Sequence, residues 1–315
     1  MKKPKRYVTL GIGGSLGHDA NAAVMVDGQL IAASQEERFT RVKHDGRFPE
    51  RAAEDCLAIA GLTFADVDSC VFSEKLWRAS IYDRTAVAGL PFLEQAGRMI
   101  RQFDRRPAFG HPFAAKARAL MPDARFRYAW HHLTHVVGAW FTSDATQAAF
   151  LCVDGKGEDS NASIGRIGPN GVEIIDEMRG ENGLGMLYTL CTRFLGFRSF
   201  GSEYKVMGLA PYGAPRFADA IRSLCMIGPG GALRLKRRVS FTDTGIDSLL
   251  PWVSHTLGIP VRLASQPLES IHADVAASLQ RVFEEVTLQM AEHVRSITGE
   301  RTLLFAGGCA QNCVA

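Results

Sequence analysis

Apolar positions along the chain follow two periods. Residues 7–14 (YVTLGIGG) and 148–155 (AAFLCVDG) are short apolar runs that stop at glycine, the pattern of buried strands. Each is followed by an alternating stretch broken by a turn signal. Residues 21–37 (NAAVMVDGQLIAASQEE) fold back at Asp27-Gly28, and residues 161–177 (NASIGRIGPNGVEIIDE) fold back around Asn170-Gly171, so both predict hairpins. The lead-in also recurs: Asp19-Ala20-Asn21-Ala22-Ala23 in the first copy, Asp159-Ser160-Asn161-Ala162-Ser163 in the second. The layout is that of a strand-turn-hairpin unit duplicated about 140 residues apart, far looser than the tandem period of a solenoid. Helical spacing intervenes. Residues 49–61 begin with proline and stop at glycine, and residues 270–299 carry Ile271, Val275, Leu279, Val282, Phe283, Val286, Met290 and Val294 on one face before a glycine stop. Near the end, residues 302–306 read as a buried strand, Gly307-Gly308 as a turn, and residues 309–315 (CAQNCVA) as the start of a helix. Strand, paired glycines and helix start form a place where backbone amides can hold phosphate.

Composition narrows the class. With 315 residues, 46% hydrophobic and 22% charged, the chain reads as a globular protein of about two domains, and no apolar run is long enough to span a bilayer. The basic start runs directly into a glycine-rich turn, unlike a signal peptide. A net charge of +3 is uninformative about partners, and the cluster Arg98, Arg101, Arg105, Arg106 lacks aromatic interleaving, so it reads as a solvated face; neither nucleic acid nor membrane is an expected partner. Seven scattered cysteines predict thiols in a reducing cytoplasm, and Cys309 and Cys313 lack the spacing and the second pair of a zinc site.

The stretch 129–140 (AWHHLTHVVGAW) raises a sharper question. His131 and His135, four apart, would rise from one helix face a turn apart, which suits either chelation or hydrogen-bonded histidines at a helix start.

Five stretches taken together are specific: GHDANAAVMVDG (17–28), EERFTRVKHDGRFP (36–49), HHLTH (131–135), EYKVMGLAPYG (203–213) and AGGCAQNCVA (306–315). The chain resembles, on these, the O-carbamoyltransferase family of antibiotic and Nod-factor biosynthesis, whose first domain is similar to the tRNA threonylcarbamoyl-transfer protein. The resemblance implies an α/β fold of the actin/Hsp70-like kind, a duplicated ribonuclease-H-like unit, here C-terminally incomplete: a first half over 1–147, a truncated second half over 148–315, nucleotide between them, and no counterpart of the family's second, carbamoyl-adenylate-forming domain. It implies transfer of a carbamoyl group from carbamoyl phosphate, with ATP and through carbamoyl-adenylate, to a hydroxyl of a small natural product or sugar. A divalent metal, usually iron, carries over to His131 and His135. Asp154, equally readable as a turn former, fits as the acidic ligand. Gly155, Gly157, Gly208, Gly307, Gly308 and Asn312 match positions around nucleotide. His18 is the candidate base, or else a turn histidine, and Lys205 would offset phosphate charge, or else is an exposed helix lysine. The sequence departs from the family at Lys156, where a small or apolar residue is usual, and at Gln311, usually leucine, whose burial would demand partners. A homodimer or a second-domain partner is the expected assembly, and the isolated chain is expected not to carry carbamoyl phosphate through to product. A nucleotide- and metal-binding module without turnover, or a tRNA-modifying relative, are the competing readings.

Overall fold

The computed structural model describes residues 6–14, 17–74, 113–239 and 242–315. The arginine cluster 98–106 lies outside the described residues. The chain forms two compact units, residues 1–134 and 135–315. This division falls within a helix, ahead of the boundary at 147/148 expected from sequence.

The first unit is built on β1 (Val8–Gly13), β2 (Asn21–Val26), β3 (Gln29–Gln35), β4 (Ser69–Phe72) and β5 (Arg125–Tyr128), in the order β3-β2-β1-β4-β5. The β1-β2 and β2-β3 pairs are antiparallel, and β4 runs parallel to both β1 and β5. The hairpin turn is left-handed at both Asp27 (φ 51°) and Gly28 (φ 83°), which is what the Asp-Gly pair predicts for a two-residue connection. Alternation places Val8, Leu10 and Ile12 of β1 in the core with Ala22 and Val24 of β2. They pack against Ala52, Ala53, Cys56 and Leu57 of the helix Glu50–Ile59 and Ala117 of the helix Ala114–Leu120. We call these helices α2 and α3, after the short α1 (Glu37–Thr40).

The second unit repeats the plan. After α4 (His131–Phe141) come β6 (Ala148–Val153), β7 (Ser160–Gly168) and β8 (Gly171–Arg179), then a helical stretch with α5 (Leu184–Phe194), α6 (Glu203–Leu209), α7 (Ala218–Ser223), α8 (Asp243–Asp247), α9 (Leu250–Leu257) and α10 (Ser270–Thr298), and finally β11 (Leu303–Ala306). A small ribbon of β9 (Cys225–Ile227) and β10 (Leu233–Leu235) sits within that stretch. The sheet order is β11-β6-β7-β8, antiparallel along the hairpin and parallel between β6 and β11. Strand for strand this is β4-β1-β2-β3 again. The duplicated α/β unit with mixed sheets is therefore present in the topology as well as in the sequence.

Every residue of β6 is buried, because both faces of this central strand are covered. Ala149, Leu151 and Val153 face a core containing Leu187, Leu190 and Phe194 of α5 and Val275, Leu279 and Val282 of α10. Ala148, Phe150 and Cys152 face the other way, onto Val136 of α4 and its half-buried neighbours Val137 and Trp140. Each fully buried Leu or Phe contributes about 1.5–3 kcal/mol by leaving water, so β6 is the fixed platform for whatever follows its last residue. α10 ends at Gly299, left-handed at φ 70°, as the glycine stop predicts. The expected C-terminal helix does not form; one 3₁₀ turn, Gly308–Gln311, follows β11, and Asn312 leaves the helical region at ψ 92°. Gln311 is exposed, so the burial that would have required partners does not arise.

Candidate functional site

Asp154 is the first residue beyond β6, and α4 packs on the same sheet. That packing brings the two histidines of one α4 face to the end of the strand. His135 Nε2 lies 3.3 Å from Asp154 Oδ2, and ligand atoms of His131, His135 and Asp154 all fall within 4.8 Å of one another. Two imidazole nitrogens and one carboxylate oxygen are a donor set suited to iron(II) and related divalent ions, with positions left for substrate or water. The residues present therefore fit a metal. Glu74, two residues past β4 and 2% exposed, places Oε1 3.9 Å from His131 Nδ1, a buried carboxyl group beside a candidate ligand ring. Glu74 carries no sequence signal of its own. Two thiols, Cys152 and Cys309, are buried, and burial, then the charge of Asp154, pushes both well above the usual thiol range.

The glycine turns gather around the same carboxylate. Gly155 N donates to Asp154 Oδ1 at 2.8 Å. A Cβ on Gly308 would stand 2.9 Å from Asp154 Oδ1, and one on Gly307, whose φ is 89°, would stand 2.3 Å from the Val153 carbonyl oxygen. No side chain fits at 307, so the turn after β11 lies directly against the turn after β6. Gly157 N donates to the Ser160 carbonyl at 2.8 Å and closes the loop entering β7. In that loop Glu158 and Asp159 are buried, two further acids, of which Asp159 was marked in the sequence only as part of the repeat.

The other expected nucleotide residues are placed less directly. Gly208 lies on α6 with open space where a side chain would be. Lys205 is exposed on the same helix, its Nζ 5.7 Å from the Phe197 ring centre and 5.8 Å from that of Tyr204. Asn312 spends its amide on the protein: Nδ2 donates to Gln280 Oε1 at 2.9 Å, and Gln280 Nε2 donates back at 3.1 Å. Tyr188 OH joins this pair at 3.1 Å from Gln280 Oε1. Asn312 thus ties the C-terminal turn to α10. Lys156, the departure from the family pattern, pairs with Glu181.

His18 lies in the first unit, in the loop between β1 and β2, with its side chain 37% exposed. Its Nδ1 is 3.0 Å from Asp19 Oδ2. Asp19, Glu37 and His44 also bring three ligating atoms within 4.8 Å of one another, a cluster to which sequence reasoning gave no role although His44 lies inside the KHD of a quoted stretch.

With fold and site in place, the class is clear. The chain belongs to the carbamoyltransferase N-terminal family, which it matches over residues 8–315. It is 35% identical over 312 residues to an uncharacterized protein of Synechocystis, covering 95% of this chain and 50% of that protein. It is 29% identical over 299 residues to the nodulation protein NolNO of Sinorhizobium fredii, covering 94% of this chain and 41% of that one. The chain thus spans half or less of these relatives' length. Among solved structures, component A of (R)-2-hydroxyglutaryl-CoA dehydratase from Acidaminococcus fermentans is similar at a TM-score of 0.44 and 15% identity, over 97% of this chain and 85% of that one. No described helix is long and apolar enough to cross a membrane.

Proposed function

We propose that this chain is the transfer module of an O-carbamoyltransferase, moving a carbamoyl group from a carbamoyl-adenylate, made from carbamoyl phosphate and ATP, to a hydroxyl of a small natural product or sugar. The observation that carries the reading is the convergence of His131, His135 and Asp154 with the Gly307-Gly308 turn against Asp154. His131, His135 and Asp154 would hold one divalent ion, iron(II) foremost, which when bound supplies Lewis-acid polarisation of the carbamoyl carbonyl. The amides of the Gly307-Gly308 turn would receive phosphate oxygens, since glycine lets backbone approach them closely, while the Gly155 and Gly157 amides already donate to Asp154 and Ser160 and would serve by keeping the turn after β6 compact. Lys205 offers charge for the adenylate. His18 takes the acceptor hydroxyl proton as the new C–O bond forms and the bond from carbonyl carbon to adenylate oxygen breaks, the electron pair leaving with the phosphate. Family membership and the NolNO likeness support carbamoyl transfer; the nucleotide, the metal and the acceptor class are our reading of the residues.

Calorimetry of ATP with the purified chain tests the nucleotide part. Gly308→Val should weaken binding by about tenfold or more, because the new side chain crowds both the phosphate turn and Asp154 Oδ1 at 2.9 Å. Gly138→Ala, on α4 with open space where a side chain would be, should leave the fold and ATP binding intact and serves as the control. Equal affinity in folded wild type and Gly308→Val would remove the turn from the nucleotide site.

A further inference from the structure

Asp19 is where two loops of the first unit meet. Its Oδ2 lies 3.0 Å from His18 Nδ1 and its Oδ1 lies 2.9 Å from His44 Nδ1. Hydrogen bonding from His18, and after it from His44, holds the Asp19 carboxyl at about 2, below the usual carboxylate range, despite partial burial. An ionised carboxylate only accepts, so each Nδ1 must be the proton-bearing nitrogen. A neutral imidazole with hydrogen on Nδ1 has its lone pair on Nε2.

The arrangement is braced from several sides. The His44 amide donates to Glu37 Oε2 at 2.8 Å, and the Ala20 amide donates to the Asp45 carbonyl at 2.7 Å, joining the His18 loop to the His44 loop. Asp45, 4% exposed, takes Nε and Nη2 of Arg47, the latter at 2.6 Å. A Cβ on Gly46 would stand 2.1 Å from the Gly17 carbonyl oxygen, so the two loops approach only because that residue is glycine. Asp19 (φ 52°) and His44 (φ 55°) both adopt the left-handed conformation, uncommon outside glycine, and both aim their side chains at this junction.

We propose that Asp19 and His44 are positioning residues for His18: their shared hydrogen bonds fix His18 as the Nδ1–H tautomer and so keep Nε2 unprotonated, the state in which it can take the proton of the acceptor hydroxyl. The role of Nε2 rests on the function proposed above; the tautomer does not. Asp19 acts on His18 directly, and it also stabilises the imidazolium formed when the hydroxyl proton arrives. His44 acts through Asp19, holding the second oxygen so that the carboxylate cannot rotate away from His18. The same three groups, Asp19, Glu37 and His44, could instead gather a cation through carboxylate oxygens and one ring nitrogen of His44.

Long-range proton–nitrogen NMR of the ¹⁵N-histidine-labelled chain decides the matter at about pH 8.5, some two units above the ordinary imidazole value. His18 and His44 should both show a protonated Nδ1 and a bare Nε2. In Asp19→Asn and in His44→Ala the His18 signals should shift to a mixture of tautomers, while His44→Gln, whose amide can donate to the same oxygen, should retain the wild-type pattern. An Nε2–H tautomer of His18 in the wild type overturns the proposal whatever the variants do. So does an unchanged His18 tautomer in folded His44→Ala. Zinc is then added to a His131→Ala/His135→Ala chain: a change in either His44 ring-nitrogen signal at one equivalent would make the cluster a cation site and also overturn it, whereas both signals unchanged support it. Absence of carbamoyl transfer would count against the proposed function and leave every one of these signals unaffected.

Discussion

Replacing both His131 and His135 with alanine should take the purified chain from about one bound divalent ion to background. The two rings supply two of the three donors that converge at the end of β6, and Asp154 alone, one carboxylate, would not retain an ion through purification. The helix should survive the change. Alanine is the best helix former, and Val136 with its neighbouring apolar residues packs α4 on its sheet. Metal analysis of folded wild-type and double-variant protein reads the difference directly; equal metal content would sink the metal centre. Losing Glu74, which lies beside His131 without being a candidate ligand, should cost less, on the order of 10–100-fold in affinity.

With a carbamoyl-adenylate-forming domain supplied, His18→Ala should lower turnover by about 10²–10⁴-fold, equivalent to roughly 3–5 kcal/mol of transition-state stabilisation, while ATP affinity stays within about twofold of wild type. The split follows from placement. His18 sits in the loop after β1 on the Asp19 carboxylate, whereas the turn assigned to phosphate, at 307–308, belongs to the second unit. Removing the base leaves the amides untouched. Rate loss paired with an equal loss of ATP binding would show instead that His18 serves the nucleotide or the fold.

Much of this molecule was legible from residue order. The repeat of Asp19–Ala23 in residues 159–163 marks the start of β2 and β7, and the two sheets carry the same strand order, because alternating apolar residues and Asp-Gly or Asn-Gly turns dictate hairpins locally. The four-residue step from His131 to His135 became one helix face for the same reason. What stayed hidden depends on partners remote in sequence. Asn312 meets Gln280 and His44 meets Asp19 across spans no short motif records. Residues 309–315 read as a helix by propensity, yet Gly307 pressed on the Val153 carbonyl and Asn312 bonded to α10 leave only a single 3₁₀ turn. The place of Lys205 beside the rings of Phe197 and Tyr204 was hidden too, since it depends on how residue 197 is brought back beside α6.

The central claim is that carbamoyl transfer runs at the His131/His135/Asp154 centre, and it is tested by following the labelled carbonyl carbon. Carbamoyl phosphate labelled there is incubated with ATP and a panel of aminoglycoside and oligosaccharide acceptors, using this chain together with a carbamoyl-adenylate-forming domain from a relative. The account predicts label in a carbamate ester of the acceptor with wild-type chain, and at least a hundredfold less with the folded His131→Ala/His135→Ala chain, the scale expected when charge stabilisation at the reacting carbonyl is lost. Ester formation at the wild-type rate by that double variant would contradict it.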